Sequence, residues 1–172
     1  MEEVILYQLA EQVGHALKAH GLMLTTAESC TGGWIAAAIT AVPGSSTWFE
    51  RGFVTYTYVS KREMLDVQSD TLGAYGAVSE PTVCEMARGA LAHSHAQVAV
   101  AVSGTAGPSG GTADKPVGTV CFAWAIAGEQ PESETRHFEG TREEVRRESV
   151  IHALSGVLYR VTRQNKSSGS HP

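Results

Sequence analysis

Residues 25–34 read Thr25-Thr26-Ala27-Glu28-Ser29-Cys30-Thr31-Gly32-Gly33-Trp34 and join a predicted strand to a predicted helix. The strand spans residues 22–28, and the apolar run Ile35-Ala36-Ala37-Ala38-Ile39 belongs to a helix predicted over residues 30–41. The turn between them is made of small hydroxyl, thiol and glycine residues. The first N–H groups of a helix have no internal partner, and the helix dipole adds positive charge there. The turn therefore favours an anion or a developing oxyanion.

Ser29 lies in this turn, where a serine has two possible roles. Its hydroxyl is able to cap the helix, which is the commoner use of a serine before a helix, or to attack a substrate. Gly32 and Gly33 favour the second role, because each glycine costs a helix roughly 1 kcal/mol. A helix start that keeps two glycines suggests that a ligand approaches the backbone closely. Cys30 is also a nucleophile by chemistry, but Ser29 occupies the tip of the turn and is preferred.

Composition limits the class of protein. The chain has 172 residues, 42% of them hydrophobic and 18% charged, which suits one soluble domain with a sizeable core. The net charge of −5 argues against binding to nucleic acid, and no apolar run is long enough to span a membrane. The acidic start Met1-Glu2-Glu3 is unlike a signal peptide, and three widely spaced cysteines fit a reducing compartment. We therefore expect a cytoplasmic protein.

Hydrophobic periodicity predicts a mixture of helices and strands. Helices are expected at residues 3–20, 30–41, 60 onward, 79–94 and 141 onward, with a short helix or turn at 69–77, and strands at 22–28, 53–58, 98–102, 117–127 and 135–138. This mixture predicts an α/β fold: a layered α/β/α domain with a mixed, largely buried sheet. Short connections predict that the last strands are antiparallel. A single domain is expected over residues 1–164, with a disordered tail at 165–172.

Lys61 is a candidate general base. Ser60 and Glu63 match a capping box, which would put Lys61 in the first turn of a helix. The helix dipole disfavours a cation there and lowers the lysine pKa toward the neutral amine that activates a hydroxyl nucleophile. A solvated surface lysine is the commoner alternative. Tyr56 lies five residues earlier in a predicted strand, and its side chain either shares the site or packs in the core.

A second glycine-rich loop, residues 103–111, leaves a buried strand. Ligands bind off the ends of such strands in α/β sheets. The hydroxyls of Ser103 and Thr105, with the bare backbone of Gly104 and Gly107, would suit a phosphate or an oxyanion. The loop lacks the Gly-Lys-Ser/Thr sequence of a Walker A motif, and a flexible connection is an equally good interpretation.

Two arginines, Arg142 and Arg146, are four residues apart at the start of the last helix and share a face. Arginine binds phosphate through paired N–H donors, so this face is a candidate phosphate site. The neighbouring Glu143, Glu144 and Glu148 provide the alternative that both arginines form ion pairs. The seven histidines and three cysteines lack the spacing of metal ligands, so we expect no metal.

Six motifs, in order along the chain, resemble the CinA C-terminal domain family. They are Thr25-Thr26-Ala27-Glu28-Ser29-Cys30-Thr31-Gly32-Gly33, Pro43-Gly44-Ser45-Ser46, Gly52-Phe53-Val54-Thr55-Tyr56, Gly76-Ala77-Val78-Ser79-Glu80, Ser103-Gly104-Thr105-Ala106-Gly107-Pro108 and Lys115-Pro116-Val117-Gly118-Thr119-Val120. The resemblance covers residues 5–163. It implies an α/β fold and a homodimer. It also implies the activity of the stand-alone members, the nicotinamide-nucleotide amidohydrolases, which convert nicotinamide mononucleotide to nicotinic acid mononucleotide and ammonia in pyridine nucleotide salvage.

The resemblance also assigns roles to residues. The family's serine nucleophile falls on Ser29, its lysine base on Lys61 and its tyrosine on Tyr56. N–H groups of the turn would hold the oxyanion, and the hydroxyl loop and a helix arginine would bind the nucleotide and its 5′-phosphate. The implied substrate-binding residues are Cys30, Thr31, Gly32, Gly33, Ser103, Gly104, Thr105, Gly107, Arg142 and Arg146. The resemblance implies no metal and no organic cofactor.

One position departs from the family pattern. Family members usually have Tyr-Ser-Asn-x-x-Lys, whereas this chain has Tyr56-Thr57-Tyr58-Val59-Ser60-Lys61, so that Tyr58 replaces asparagine. A bulky side chain in the pocket would block or redirect the substrate. Two alternatives follow from this: an inactive paralogue that binds a nucleotide or a protein partner through the same cleft, and an amidohydrolase for a different amide.

Overall fold

The computed structural model describes the backbone of residues 1–167 and the side chains of residues 1–163. The helices are α1 (Glu2–Ala19), α2 (Trp34–Thr40), α3 (Tyr58–Leu65), α4 (Ser69–Tyr75), α5 (Glu80–Ala92) and α6 (Arg142–Ser167), with a 3₁₀ turn at Ser45–Thr47. The strands are β1 (Leu24–Glu28), β2 (Phe49–Val54), β3 (Val98–Gly104), β4 (Thr119–Ile126) and β5 (Glu132–His137). Among the helices of the described residues, none has the length and apolar character needed to cross a membrane.

The strands form one mixed sheet in the order β2-β1-β3-β4-β5. β2, β1 and β3 are parallel, whereas β4 and β5 are each antiparallel to the strand before them. The antiparallel pairing of the last strands confirms that prediction. The sheet is therefore mixed, as expected for the α/β fold class.

Strand β3 shows that the sheet is covered on both faces. Val98, Val100 and Val102 pack with buried residues of α1, α2 and α6, and Ala99 and Ala101 pack with buried residues of α3, α4 and α5. The alternation follows from the period of two residues along a strand. Because all five side chains are at most 1% exposed, the sheet is the middle layer of an α/β/α arrangement.

The predicted strand at residues 53–58 is wrong in its position. β2 ends at Val54, and α3 begins at Tyr58. The aromatic and β-branched residues favour a strand by propensity, but a capping box intervenes. The Thr57 hydroxyl accepts from the Ser60 N–H, and the Ser60 hydroxyl accepts from the Thr57 N–H. The cap therefore lies three residues before the predicted one, and Lys61 is the fourth residue of α3.

The boundaries of β5, α2 and α6 also differ from the prediction, and β5 spans Glu132–His137 instead of residues 135–138. Helix α2 begins at Trp34 rather than at residue 30, because Gly32 and Gly33 have positive φ angles of 61° and 99°. These angles belong to the left-handed region, which glycine adopts without strain. The backbone of α6 extends to Ser167, into the segment predicted as a tail, and the rest of that segment, 168–172, lies outside the described residues.

Gly89 sets the distance between α5 and the end of α3. A Cβ at this position would lie 1.9 Å from the carbonyl oxygen of Leu65. We therefore expect Gly89→Ala to force the helices apart and to lower the free energy of unfolding by about 1–3 kcal/mol, measured by urea unfolding. Gly73→Ala in α4 is the matched control, because a Cβ there meets nothing within 4 Å. Equal effects of the two changes would contradict this account.

Candidate active site

Three chain segments meet at one edge of the sheet. Because β2, β1 and β3 are parallel, their carboxyl ends lie at the same edge. Ser29 follows β1, Tyr56 follows β2 and Gly104 ends β3. A cleft of about 270 Å³ opens there, and it is lined by Ser29, Cys30, Tyr56, Tyr58, Lys61, Ala77, Val78, Ser103, Gly104, Thr105, Ala106, Gly107, Ser109, Gly110 and Arg142.

Ser29 and Lys61 form a buried pair in this cleft. The Lys61 Nζ lies 3.0 Å from the Ser29 Oγ and donates a second hydrogen bond of 2.7 Å to the carbonyl oxygen of Thr55. The lysine side chain is 1% exposed and the serine is 7% exposed. Burial lowers the pKa of Lys61 to about 8, from its ordinary value of 10.5. The direction agrees with the prediction, but the cause is desolvation and not the helix dipole.

The lowered pKa gives Lys61 the properties of a general base. With a pKa of about 8, about a tenth of the lysine side chains are neutral amines at pH 7. A neutral amine within hydrogen-bond distance of a hydroxyl is able to accept its proton as the oxygen attacks a substrate. The Ser29–Lys61 pair therefore has the geometry and the electrostatics of an activated nucleophile.

Sequence reasoning missed Glu28, which fixes the turn that carries Ser29. The Glu28 carboxylate is fully buried and accepts hydrogen bonds from the Thr31 hydroxyl (2.7 Å), the Ile35 N–H (2.8 Å) and the Ala36 N–H (3.1 Å). Burial raises the pKa of this carboxyl, while the donors act to lower it. The carboxylate thus serves as the cap of α2. A carboxylate shortly before a helix was the available signal, because acidic groups favour helix N-termini.

We expect Glu28→Gln to destabilise the protein. The carboxylate uses both of its oxygens as acceptors, whereas glutamine has one acceptor and turns its NH₂ group toward an N–H donor. The buried donor that loses its partner should lower the free energy of unfolding by about 1–3 kcal/mol in urea unfolding. Glu129→Gln is the control, because Glu129 is an exposed turn residue. Equal stability of wild type and Glu28→Gln would show that the carboxylate does not hold the turn.

Of the four turn residues that were predicted to bind substrate, one lines the cleft and three do not. Cys30 lines the cleft, whereas Thr31, Gly32 and Gly33 do not. The Gly32 N–H donates to the Ser29 carbonyl oxygen and is not available to an oxyanion. The Cys30 N–H, next to Ser29 in the chain, donates to no backbone oxygen within residues 1–167. Of the turn residues predicted to hold an oxyanion, only Cys30 lines the cleft, and its N–H has no backbone acceptor within residues 1–167. The Cys30 N–H is therefore the candidate donor to an oxyanion.

The Cys30 thiol is not equipped to act as the nucleophile. Its side chain is 5% exposed, and burial raises the pKa of the thiol to about 12. The thiolate is the nucleophilic form of cysteine, and it is scarce at neutral pH when the pKa is this high. This agrees with the preference for Ser29.

The two arginines predicted to share a face have different partners. Arg142 lines the cleft, and its Nη2 donates to the Tyr56 hydroxyl at 3.0 Å. Arg146 does not line the cleft, because its Nε and Nη2 donate to the carbonyl oxygens of Cys30 (3.0 Å) and Thr31 (3.2 Å). Neither arginine forms an ion pair with a glutamate of the described residues. Arg146 therefore holds the turn, and Arg142 is the candidate for a phosphate.

The second glycine-rich loop forms another wall of the cleft. Ser103, Gly104, Thr105 and Gly107 all line it, as predicted from their position after a buried strand. The hydroxyls of Ser103 and Thr105 make no hydrogen bond to any described residue, so they are available to a ligand. The Gly107 carbonyl oxygen accepts from the Arg142 Nη1 at 2.8 Å, which ties the loop to the start of α6.

The two tyrosines of the cleft do not contact the serine–lysine pair by hydrogen bonds. The Tyr56 hydroxyl bonds to Arg142, and no described hydrogen bond joins it to Ser29 or Lys61. Tyr56 therefore positions the arginine, and its predicted catalytic role stays a prediction. Tyr58 lines the cleft and is 50% exposed. It does not fill the space, since a volume of about 270 Å³ is still open.

The charge of the cleft suits an anionic ligand. Lys61 and Arg142 are the charged side chains among its lining residues, and no carboxylate is among them. Within the described part of the chain, no three His, Cys, Asp or Glu side chains come together as a group that could hold a metal ion. The cleft brings together the Ser29 hydroxyl, the Lys61 amine at hydrogen-bond distance from it and the Arg142 guanidinium, a group suited to pairing with a phosphate.

The fold and the cleft define an α/β protein with a serine–lysine pair at the carboxyl ends of parallel strands. Residues 6–161 match the model of the CinA C-terminal domain. The chain belongs to the CinA C-terminal domain family.

Relatives and solved structures agree with this membership. The nicotinamide-nucleotide amidohydrolase PncC of Escherichia coli (strain K12) is 54% identical over 154 residues, which cover 90% of this chain and 93% of that protein. The PncC protein of Pseudomonas putida is 55% identical over 150 residues, with 87% and 93% covered. The crystal structure of a competence-damaged protein (CinA) superfamily protein from Klebsiella pneumoniae superimposes with a TM-score of 0.88 at 40% identity, covering 92% of this chain and 98% of that one.

Proposed function

We propose that this chain is a hydrolase that converts nicotinamide mononucleotide to nicotinic acid mononucleotide and ammonia, in pyridine nucleotide salvage. The observation that carries the proposal is the buried Lys61 Nζ, 3.0 Å from the Ser29 Oγ in an open cleft. The names of relatives at 51–55% identity, nicotinamide-nucleotide amidohydrolase PncC, supply the substrate.

The first step is the attack of Ser29 on the carboxamide carbon. The neutral Lys61 amine takes the hydroxyl proton as the Ser29 Oγ forms its bond to carbon. The Cys30 N–H stabilises the oxyanion that develops on the amide oxygen. The protonated Lys61 then gives its proton to the amide nitrogen, the C–N bond breaks, and ammonia leaves an acyl-enzyme ester on Ser29.

The second step is hydrolysis of that ester. Lys61, neutral again, takes a proton from water, and the resulting oxygen nucleophile attacks the acyl carbon. Collapse of the intermediate returns the proton to the Ser29 Oγ and releases the carboxylic acid. The sum of both steps is amide plus water to acid plus ammonia, so no redox partner is required.

The nucleotide part of the substrate is held by Arg142 and the loop of residues 103–111, which line the cleft. Arg142 keeps N–H donors beyond those bonded to Gly107 and Tyr56, and these are available to the 5′-phosphate. The free hydroxyls of Ser103 and Thr105 add donors on the same side of the loop. Binding of the phosphate at Arg142 orients the carboxamide toward Ser29.

We also propose that the protein acts as a homodimer in the cytoplasm. The free thiols of Cys30, Cys84 and Cys121 support a reducing compartment. Strand β2 is an edge strand whose outer side has no partner within residues 1–167, which leaves a surface for a second copy. Light scattering after size-exclusion chromatography measures the mass, and a monomer at micromolar concentration would contradict the dimer.

Ammonia release from nicotinamide mononucleotide tests the function directly. We expect turnover of the mononucleotide, and much slower turnover of nicotinamide riboside, which lacks the phosphate that Arg142 binds. Liquid chromatography should show nicotinic acid mononucleotide in an amount equal to the ammonia. A folded protein that releases no ammonia would overturn the proposal. Calorimetric binding of the mononucleotide without turnover would then favour a non-catalytic nucleotide-binding protein.

A further inference from the structure

Two aromatic side chains are exposed in the cleft, and one of them has no assigned role. Tyr56 is 60% exposed and Tyr58 is 50% exposed, although both line the cleft. The Tyr56 hydroxyl is bonded to Arg142, whereas the Tyr58 hydroxyl makes no hydrogen bond to any described residue. The ring of Tyr58 is therefore an aromatic surface of the cleft whose hydroxyl is not tied to another side chain of the described residues.

No arginine or lysine of the described residues lies over the ring of Tyr58, in contrast to the rings of Trp34 and Trp124. Arg146 and Arg147 lie over the Trp34 ring at 5.5 Å, and Arg160 lies over the Trp124 ring at 3.9 Å. Within residues 1–163, no lysine or arginine side chain lies over the Tyr58 ring. The face of this ring is thus available to a cation from outside the protein.

Apart from the rings of Tyr56 and Tyr58, the lining of the cleft has no negatively charged group that would attract a cation. Its charged side chains, Lys61 and Arg142, are both cationic when protonated, and its lining contains no carboxylate. The phosphate end of a pyridine nucleotide fits such a cleft, but its pyridinium ring is positively charged. An aromatic face attracts a cation through its quadrupole without a formal negative charge.

We propose that Tyr58 is a specificity-determining residue that stacks on the cationic pyridinium ring of the substrate. The proposal rests on the proposed function and extends it, because it states that the site prefers cationic ring amides to neutral ones. Tyr58 lies three residues before Lys61, so a ring stacked on it stays beside the serine–lysine pair. Tyr58 is accordingly a binding group for the ring, and an asparagine at this position provides no aromatic face.

Steady-state kinetics with two substrates tests this. The first is nicotinamide mononucleotide, and the second is its dihydropyridine form, which has the same amide, ribose and phosphate on a neutral ring. We expect Tyr58→Asn to raise KM for the cationic substrate about 5- to 30-fold, with kcat changed less than about threefold. Tyr58→Phe keeps KM within about twofold, because the ring remains. KM for the neutral substrate stays within about twofold in Tyr58→Asn.

The matched control is Tyr75→Asn, which removes another half-exposed tyrosine that does not line this cleft. It should change neither KM nor kcat. An unchanged or lower KM in Tyr58→Asn, or an equal rise for both substrates, would overturn the role of the ring. Melting temperatures of all variants separate these effects from unfolding.

Calorimetric binding to Ser29→Ala makes the result independent of turnover. In that background the Kd of nicotinamide mononucleotide should rise about 5- to 30-fold on adding Tyr58→Asn, and that of the dihydropyridine form should not. This outcome in a protein that releases no ammonia would preserve ring stacking while the proposed reaction fails. The opposite outcome is ammonia release from wild type together with an equal Kd of nicotinamide mononucleotide in Ser29→Ala with and without Tyr58→Asn. It would support the reaction and reject the stacking.

Discussion

Ser29→Ala is expected to lower kcat/KM for ammonia release from nicotinamide mononucleotide by at least about 10³-fold. The Ser29 Oγ is the one nucleophilic atom of the described chain that lies at hydrogen-bond distance, 3.0 Å, from the Lys61 Nζ. Alanine removes this atom and leaves the backbone of the turn, which is held by Glu28 and Arg146, in place. A coupled ammonia assay with purified wild type and variant measures the loss.

Two features distinguish loss of the nucleophile from loss of the fold. Ser29→Ala should keep the wild-type melting temperature within a few degrees, since the Ser29 hydroxyl has Lys61 as its only hydrogen-bond partner in the described residues. Ser133→Ala is the control for removing a hydroxyl. Ser133 lies on the edge strand β5, outside the lining of the cleft, and its hydroxyl donates one hydrogen bond to Glu80. Turnover that survives in Ser29→Ala would mean that Ser29 only shapes the turn and that another group attacks the amide.

The position of the site is largely predictable from the sequence. Ser29 follows an apolar strand and precedes two glycines, and Ser103 follows a continuous apolar run. Parallel buried strands end at one edge, so two such loops are expected to meet. Local signals sufficed here because each loop is attached directly to the strand that positions it.

Other features depend on contacts that are distant in the sequence. The low pKa of Lys61 arises because α3 buries the lysine beside Ser29 and the Thr55 carbonyl, and no local pattern reports that burial. Arg142 and Arg146 are equivalent by helical spacing, yet one reaches the cleft and the other reaches the turn. Their difference is set by the packing of α6 against the rest of the domain, which only the structure shows.

Lys61→Met is expected to lower kcat/KM by about 10³-fold at pH 7, because it removes the base that deprotonates Ser29. Lys61→Arg should not restore activity, because a guanidinium stays protonated at any pH that the assay covers. In wild type the base is active when neutral, so kcat/KM should rise with pH, reach its half-maximal value near pH 8 and then level off. A pH profile in which Lys61→Met keeps the same rising limb would assign that limb to another group.

The same lysine makes stability depend on pH, in a direction that the lowered pKa fixes. Between about pH 8 and pH 10.5 the unfolded chain keeps the Lys61 proton, whereas the folded protein has released it. The contribution of Lys61 to the free energy of unfolding of wild type therefore rises with pH across this window. This contribution is lowest below pH 8. Lys61→Met lacks this dependence, so the melting temperature of wild type should rise relative to that of the variant as the pH increases from 8 to 10.5. A constant difference would mean that Lys61 titrates at its ordinary pKa and is not a neutral base in the folded enzyme.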